Sequence, residues 1–274
     1  MKIACLQTNP GNDRHRNINE IISMMEHAVH SGSAQLIVLP EVFSYMGDEN
    51  GRLDSANDLD EGIFEKIADT AKKLRVHVVA GSHAEKSKTP GKVFNTAVSY
   101  SSEGTILNIY RKIHLFNLRD SSGQPLYCES QVLAPGKEIS GFDIPVGENS
   151  WRALTAICYD VRFPELFRTP ETKINPYDVI FLPAAFTHQT GLDHWEVLLR
   201  ARAIENQCYV VACNQTGFHS EGRKRNYGNS MVIDPWGKIV AQLGEESGVL
   251  CAELSLSEVK NARTKLPALA DRAL

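Results

Sequence analysis

The chain has 274 residues, 42% of them hydrophobic and 23% charged, and a net charge of -4. A chain of this length and composition folds without staples, burying roughly three quarters of its unfolded surface, and is expected to form one domain over residues 1–274 with a C-terminal tail from about residue 255. The charge balance disfavours a nucleic-acid partner, and no apolar run of about 18 residues offers a membrane span.

The opening Met1-Lys2-Ile3-Ala4-Cys5 reads as a short strand. It lacks the roughly 7–15-residue apolar core of a secretion signal. A reducing cytosol is therefore expected, with free thiols at Cys5, Cys128, Cys158, Cys208, Cys213 and Cys251. Asn12 or Asp13 can cap a helix in which Ile18, Ile21, Ile22, Met25 and Val29 share one face. Gln35 to Leu39 is near-continuously apolar, as a strand covered on both faces would be, and stops at Pro40-Glu41.

A second helix is predicted from Ile63, Ile67, Ala71 and Leu74, followed by a strand over Val76 to Ala80. Val93 to Tyr100 and Ile106 to Tyr110 flank a Gly-containing connection and read as a hairpin, with Lys112 just past it. Residues 114 to 137 are loop-rich. Ala153 to Ile157 is another buried-type strand ending at Cys158, and Val179 to Leu182 repeats the pattern before Pro183. Asp193-x-x-Glu196 resembles a capping box opening a long helix through Trp195, Leu198, Leu199, Arg202 and Ile204. Cys208 to Cys213 reads as a strand, and Ser230 to Asp234 with Lys238 to Gln242 as a second hairpin. From Ser255 a helical pattern runs into a polar, Pro-containing tail. These elements predict an α/β protein with a mixed sheet system and helices outside.

Three polar side chains stand at the ends of apolar strands: Glu41, Lys112 and Cys158. Sites gather at the carboxyl ends of strands in open α/β sheets. A thiolate is the best side-chain nucleophile near neutral pH, but a free thiol needs a base or a cation beside it. Glu41 can move the proton, while Lys112 and the Tyr159 backbone N–H can hold an oxyanion. Each residue also has an ordinary reading, as a buried small hydrophobe or a strand-end charge. Strand positions by themselves do not establish that the three converge.

The blocks Val38-Leu39-Pro40-Glu41, Tyr110-Arg111-Lys112-Ile113-His114-Leu115 and Ile157-Cys158-Tyr159-Asp160-Val161-Arg162-Phe163-Pro164-Glu165 resemble, in order, the three signatures of the nitrilase superfamily of carbon–nitrogen hydrolases. Further similar stretches run from His194 to Asn206 and from Gly228 to Gly237, so the resemblance reaches to about residue 255. It implies an αββα sandwich, paired as a homodimer or higher homo-oligomer. It also implies a Glu-Lys-Cys triad at Glu41, Lys112 and Cys158, a second glutamate at Glu129, a thioester intermediate and no cofactor or metal. The branch it points to, omega-amidases and deaminated-glutathione amidases, acts on small amides bearing a carboxylate. For such a substrate Arg162 can pair with the carboxylate, its ordinary role being a structural ion pair with Asp160, Glu165 or a neighbour. Phe186, Thr187 and His188, following the Val179–Pro183 strand, are candidate pocket walls, Tyr45 is another with core packing as its ordinary role, and Tyr159 is a candidate substrate-binding residue. Arg119, Asp120 and Tyr127 lie in the long loop, where solvated roles are commoner.

The sequence holds no HExxH, no paired CxxC and neither glycine-rich nucleotide fingerprint. A papain-like protease lacks its local pattern around Cys158. The remaining alternatives are an N-carbamoyl amino-acid amidohydrolase, a true nitrilase, and a catalytically silent binding protein on the same fold.

Overall fold

A computed structural model of the chain describes residues 1–169, 171–220 and 222–273. The strands are β1 (Lys2–Gln7), β2 (Leu36–Val38), β3 (His77–Val79), β4 (His83–Lys86), β5 (Val93–Tyr100), β6 (Ile106–Arg111), β7 (Asn117–Arg119), β8 (Pro125–Cys128), β9 (Phe142–Val146), β10 (Asn149–Thr155), β11 (Val179–Ala184), β12 (Tyr209–Asn214), β13 (Thr216–His219), β14 (Lys224–Tyr227), β15 (Met231–Ile233), β16 (Ile239–Gln242) and β17 (Gly248–Glu253). The helices are α1 (Arg14–His30), α2 (Glu49–Asp54), α3 (Gly62–Leu74), α4 (Pro164–Phe167), α5 (Glu171–Ile174), α6 (His188–Asn206) and α7 (Leu256–Lys265).

The strands build two large sheets. One runs β17-β1-β2-β3-β5-β4, with β6 on the other edge of β5; the second runs β16-β15-β12-β11-β10-β9. At the heart of each, three strands are parallel: β1, β2 and β3 in the first, and β10, β11 and β12 in the second. Alternation along each strand explains the layering. Ile3, Cys5, Leu36 and Val38 face Phe181, Tyr209 and Val211 in a core between the sheets. Their neighbours Ala4, Leu6 and Ile37 turn outward against Ile18, Ile21 and Met25 of α1 and Ile67 of α3. On the far side, Ile180, Leu182 and Val210 pack under Trp195 and Leu199 of α6. The result is an αββα sandwich, and both faces of its central strands are buried, which is why they read as apolar runs.

Asp13 caps α1, its carboxylate accepting from Arg16 N at 3.0 Å. The expected start of α6 is corrected: the helix begins at His188 after Thr187, and Asp193 is an exposed interior position. Gly191 lies inside this helix, where glycine costs about 1 kcal/mol relative to alanine. It is glycine because any Cβ there would collide with the Tyr227 ring. The tail beyond α7 is docked, since Leu269 is buried and its N–H donates to the Gln207 side chain. Strands β4, β9, β13, β14 and β17 and the small β7–β8 ribbon add to the predicted elements.

Candidate active site

The three strand-end residues meet in one place. Glu41 follows β2, Lys112 follows β6, and Cys158 follows β10 in a short 3₁₀ turn, Cys158–Arg162. All three line a cavity of about 270 Å³ together with Glu129, Thr187 and Tyr127. Lys112 Nζ donates to Glu41 Oε1 at 2.8 Å and to Glu129 Oε1 at 3.0 Å. Glu129 is fixed by the Phe116 N–H, which donates to its Oε2 at 2.7 Å.

Glu41 is held on every side. Oε1 also accepts from Asn95 Nδ2 at 2.9 Å, and Oε2 accepts from the Ala185 N–H at 2.9 Å. Gln215 donates to its backbone carbonyl. The chain around it is unusually bent. Val42, a β-branched residue, has φ 49°, and Cys158 has φ 47°. Left-handed backbone at such residues costs on the order of 1–3 kcal/mol and persists only where the surroundings impose it. The neighbouring bend at Gly81 (φ 39°), between β3 and β4, brings its backbone against the Pro40 carbonyl, where a Cβ would not fit.

Asp160 ties two of the blocks together. Its buried carboxylate accepts from Tyr110 Oη at 2.7 Å, His114 N at 3.1 Å and Ile157 N at 2.9 Å. Tyr110 and His114 flank Lys112, so this one side chain sets the lysine's loop against the cysteine's. Asp160 was weighed in the sequence only as a partner for Arg162; the usable signal was its place inside the cysteine block.

Charge follows from this geometry. Burial raises the Glu41 pKa, but the Lys112 charge and hydrogen bond outweigh it, and the net shift is downward. Burial lowers the Lys112 pKa, but Glu129 and Glu41 more than reverse this and keep the ammonium charged. Burial and then the Glu41 carboxylate push the Cys158 thiol well up, against the pull of Lys112. One ammonium therefore faces two carboxylates, and the thiol beside them keeps its proton at rest.

The pocket-wall candidates divide. Thr187 lines the cavity. Phe186 is buried against Trp195, with ring centroids 4.9 Å apart, and the Tyr159 ring packs on Phe116 and Phe163. Neither ring is part of the lining, although the Tyr159 backbone N–H directly follows Cys158. Arg162 also stands outside the lining. Its guanidinium lies over the Phe186 and Tyr159 rings and reaches His194 Nδ1 at 3.3 Å. Asp160 is engaged elsewhere, and among the described residues Arg162 pairs with neither Asp160 nor Glu165; the neighbour it reaches is His194, with its guanidinium stacked on the two rings. Tyr45 packs under α2 and donates to Asp48 at 3.2 Å. Arg119 and Asp120 shape an exposed turn. Two cationic lining residues, Arg52 and Lys224, had drawn no attention in the sequence. Among the described residues no group of three or more His, Cys, Asp or Glu gathers as a metal site.

The carbon-nitrogen hydrolase family pattern matches residues 2–264. A deaminated glutathione amidase of Synechocystis sp. is 38% identical over 272 residues, 98% of this chain and 97% of that one. A 2-oxoglutaramate amidase of Bacillus subtilis is 37% identical over 271 residues, covering 98% and 96%. Among solved structures, Saccharomyces cerevisiae Nit3, a member of branch 10 of the nitrilase superfamily, matches with a TM-score of 0.86 at 28% identity, over 100% of this chain and 97% of that one.

Proposed function

This chain belongs to the carbon-nitrogen hydrolase family, and from that premise we propose that it hydrolyses small carboxylate-bearing amides through a thioester on Cys158. The observation that carries the reading is the Lys112 ammonium bonded to both Glu41 and Glu129 inside the cavity that Cys158 lines. The relatives named for deaminated glutathione and 2-oxoglutaramate supply the substrate class.

The thiol proton passes to Glu41 as the sulfur attacks the amide carbonyl carbon. The oxyanion forms against Lys112 and the Tyr159 N–H. Preorganised donors of this kind are worth roughly 3–4 kcal/mol each in barrier height. Glu41 returns the proton to the leaving nitrogen, the C–N bond breaks, and ammonia or an amine departs. A water then gives its proton to Glu41 and attacks the thioester. The C–S bond breaks, the acid leaves, and the thiol regains its proton. Glu129 keeps Lys112 in place through both halves.

A homodimer in the cytoplasm completes the proposal. Val197, Ile204 and Trp236 are large apolar side chains left exposed on and beside α6, which suits pairing through that helix. Among the described residues no helix is long and apolar enough to cross a membrane. All six cysteines are free thiols.

Ammonia release is the test, from a panel of 2-oxoglutaramate, deaminated glutathione, glutamine, a simple aliphatic amide, a nitrile and an N-carbamoyl amino acid. The assay for deaminated glutathione follows amine release. Cys158→Ala is the control. Release confined to carboxylate-bearing amides supports the reading. Turnover of the nitrile or the carbamoyl compound alone replaces it, and no turnover with Cys158 still open to alkylation points to a binding role.

A further inference from the structure

The charged groups lining the cavity differ in how they are paired. At its floor, one lysine faces Glu41 and Glu129, so that end carries excess negative charge and repels a carboxylate. Its other cationic lining residues are Arg52, from α2, and Lys224, from β14. Among the described residues, neither has a carboxylate at ion-pair distance, whereas the adjacent Arg225 is paired with Glu245.

The two cations are built in. Lys224 Nζ stands 4.0 Å from the centre of the Tyr127 ring, which seats it where the β7–β8 and β13–β14 ribbons meet over the cavity. The β13–β14 ribbon is anchored by Asn226, whose Nδ2 donates to Gln215 Oε1 at 3.2 Å. Arg52 sits on a helix capped by Asp48, which accepts from Gly51 N at 2.7 Å. That cap and the Tyr45 hydroxyl occupy Asp48. Glu49 is exposed to solvent and acts on Lys224 only through space. Burial, and then Arg52 and Arg223, lower the Lys224 pKa. Burial, Lys224 and Arg52 hold His219 at about 4, so this third lining group is neutral near pH 7. Asp48 and Glu49 also line the cavity beside Arg52, but among the described residues neither lies at ion-pair distance from Arg52 or Lys224, which leaves both cations able to receive an anion.

We propose that Arg52 and Lys224 receive the substrate's carboxylate at the end of the cavity away from Glu41, orienting the scissile amide toward Cys158 and selecting monoamides of dicarboxylic acids over neutral amides. This assignment rests on the amidase reading and gives the part expected of Arg162 to other residues. A carboxylate can pair with Arg52 and Lys224, neither of which is in an ion pair, whereas Lys112 is already shared by Glu41 and Glu129, so the substrate binds in one orientation.

The experiment compares glutaramate with pentanamide, a neutral amide of equal chain length, in the wild type, Lys224→Met, Lys224→Arg and Arg52→Met. The ratio of kcat/KM for glutaramate to that for pentanamide is expected to fall about 10- to 100-fold in each Met variant. The loss lies mainly in KM, and Lys224→Arg restores much of it. Equal changes for both amides in variants that melt like the wild type would overturn the assignment and leave the amidase reading standing. A second readout needs no turnover: glutarate should protect Cys158 from iodoacetamide at about tenfold lower concentration in the wild type than in Lys224→Met. If no amide is hydrolysed, the amidase reading fails, and this protection still decides the anion site, equal protection in the two proteins refuting it.

Discussion

Lys112 donates to Glu41 across 2.8 Å, and the two side chains are only 1% and 4% exposed. Removing one partner of such a pair leaves a buried charge uncompensated, which costs about 3–5 kcal/mol. Lys112→Met strands both Glu41 and Glu129, so it should lower stability by about that amount in urea unfolding, beyond any effect on rate.

Glu41→Gln should fold and keep the cavity but lose its base. The expected fall in kcat is roughly 10²–10⁴-fold. Because the Glu41 carboxylate helps push the Cys158 thiol up, its removal should move the pH midpoint of Cys158 alkylation downward. An unchanged or raised midpoint would show that the carboxylate does not act on the thiol.

The acid limb of activity has a defined place. Glu41 carries a pKa below its usual 4.5 because Lys112 outweighs its burial. It stays an active base until pH falls through that lowered value, so kcat/KM should hold steady through pH 6 and 5 and decline only below about 4.5. A limb centred near pH 6 would assign the proton to another group.

Stability should respond to pH through His83. Burial, with a smaller contribution from Arg14, holds its folded pKa at about 4 against 6.5 for a free histidine. The folded pKa is depressed, so the unfolded chain takes up a proton between these values that the folded chain refuses. Stability is full above pH 6.5 and declines as pH falls toward 4, by about 2 kcal/mol at pH 5. His219, also held at about 4, contributes in the same window. Urea midpoints at pH 7.5 and pH 5 measure the combined difference, and His83→Gln should narrow it.

Gly81→Ala probes the bend behind Glu41. The new Cβ meets the Pro40 carbonyl at a φ that favours glycine. A destabilisation greater than about 1 kcal/mol is expected, with a fall in kcat larger than any rise in KM, since Pro40 directly precedes the base. Wild-type kcat in a stably folded variant would show that the bend does not position Glu41.

The sequence by itself determined the central strands, α1, α3 and the residue types of the site. Those signals are local: burial on both faces writes continuous apolar runs at Gln35 to Leu39 and Val179 to Leu182, and a helix face recurs from Ile18 to Val29. Convergence of the site was decided by tertiary structure, because Lys112 meets Glu41 across 71 positions and no local pattern records such a meeting. The start of α6 was misplaced because Asp193-x-x-Glu196 has the local form of a capping box, while the helix begins at His188 and carries Gly191 where the Tyr227 ring leaves no room for a Cβ. Arg162 sits four residues after the nucleophile, yet the 3₁₀ turn aims it at Phe186 and His194. Arg52 and Lys224, 172 positions apart in sequence, become one charged end of a cavity only when α2 and the β13–β14 ribbon close over it. Side-chain chemistry is written residue by residue, but an electric field belongs to the positions of all its charges, and those exist only in the folded chain.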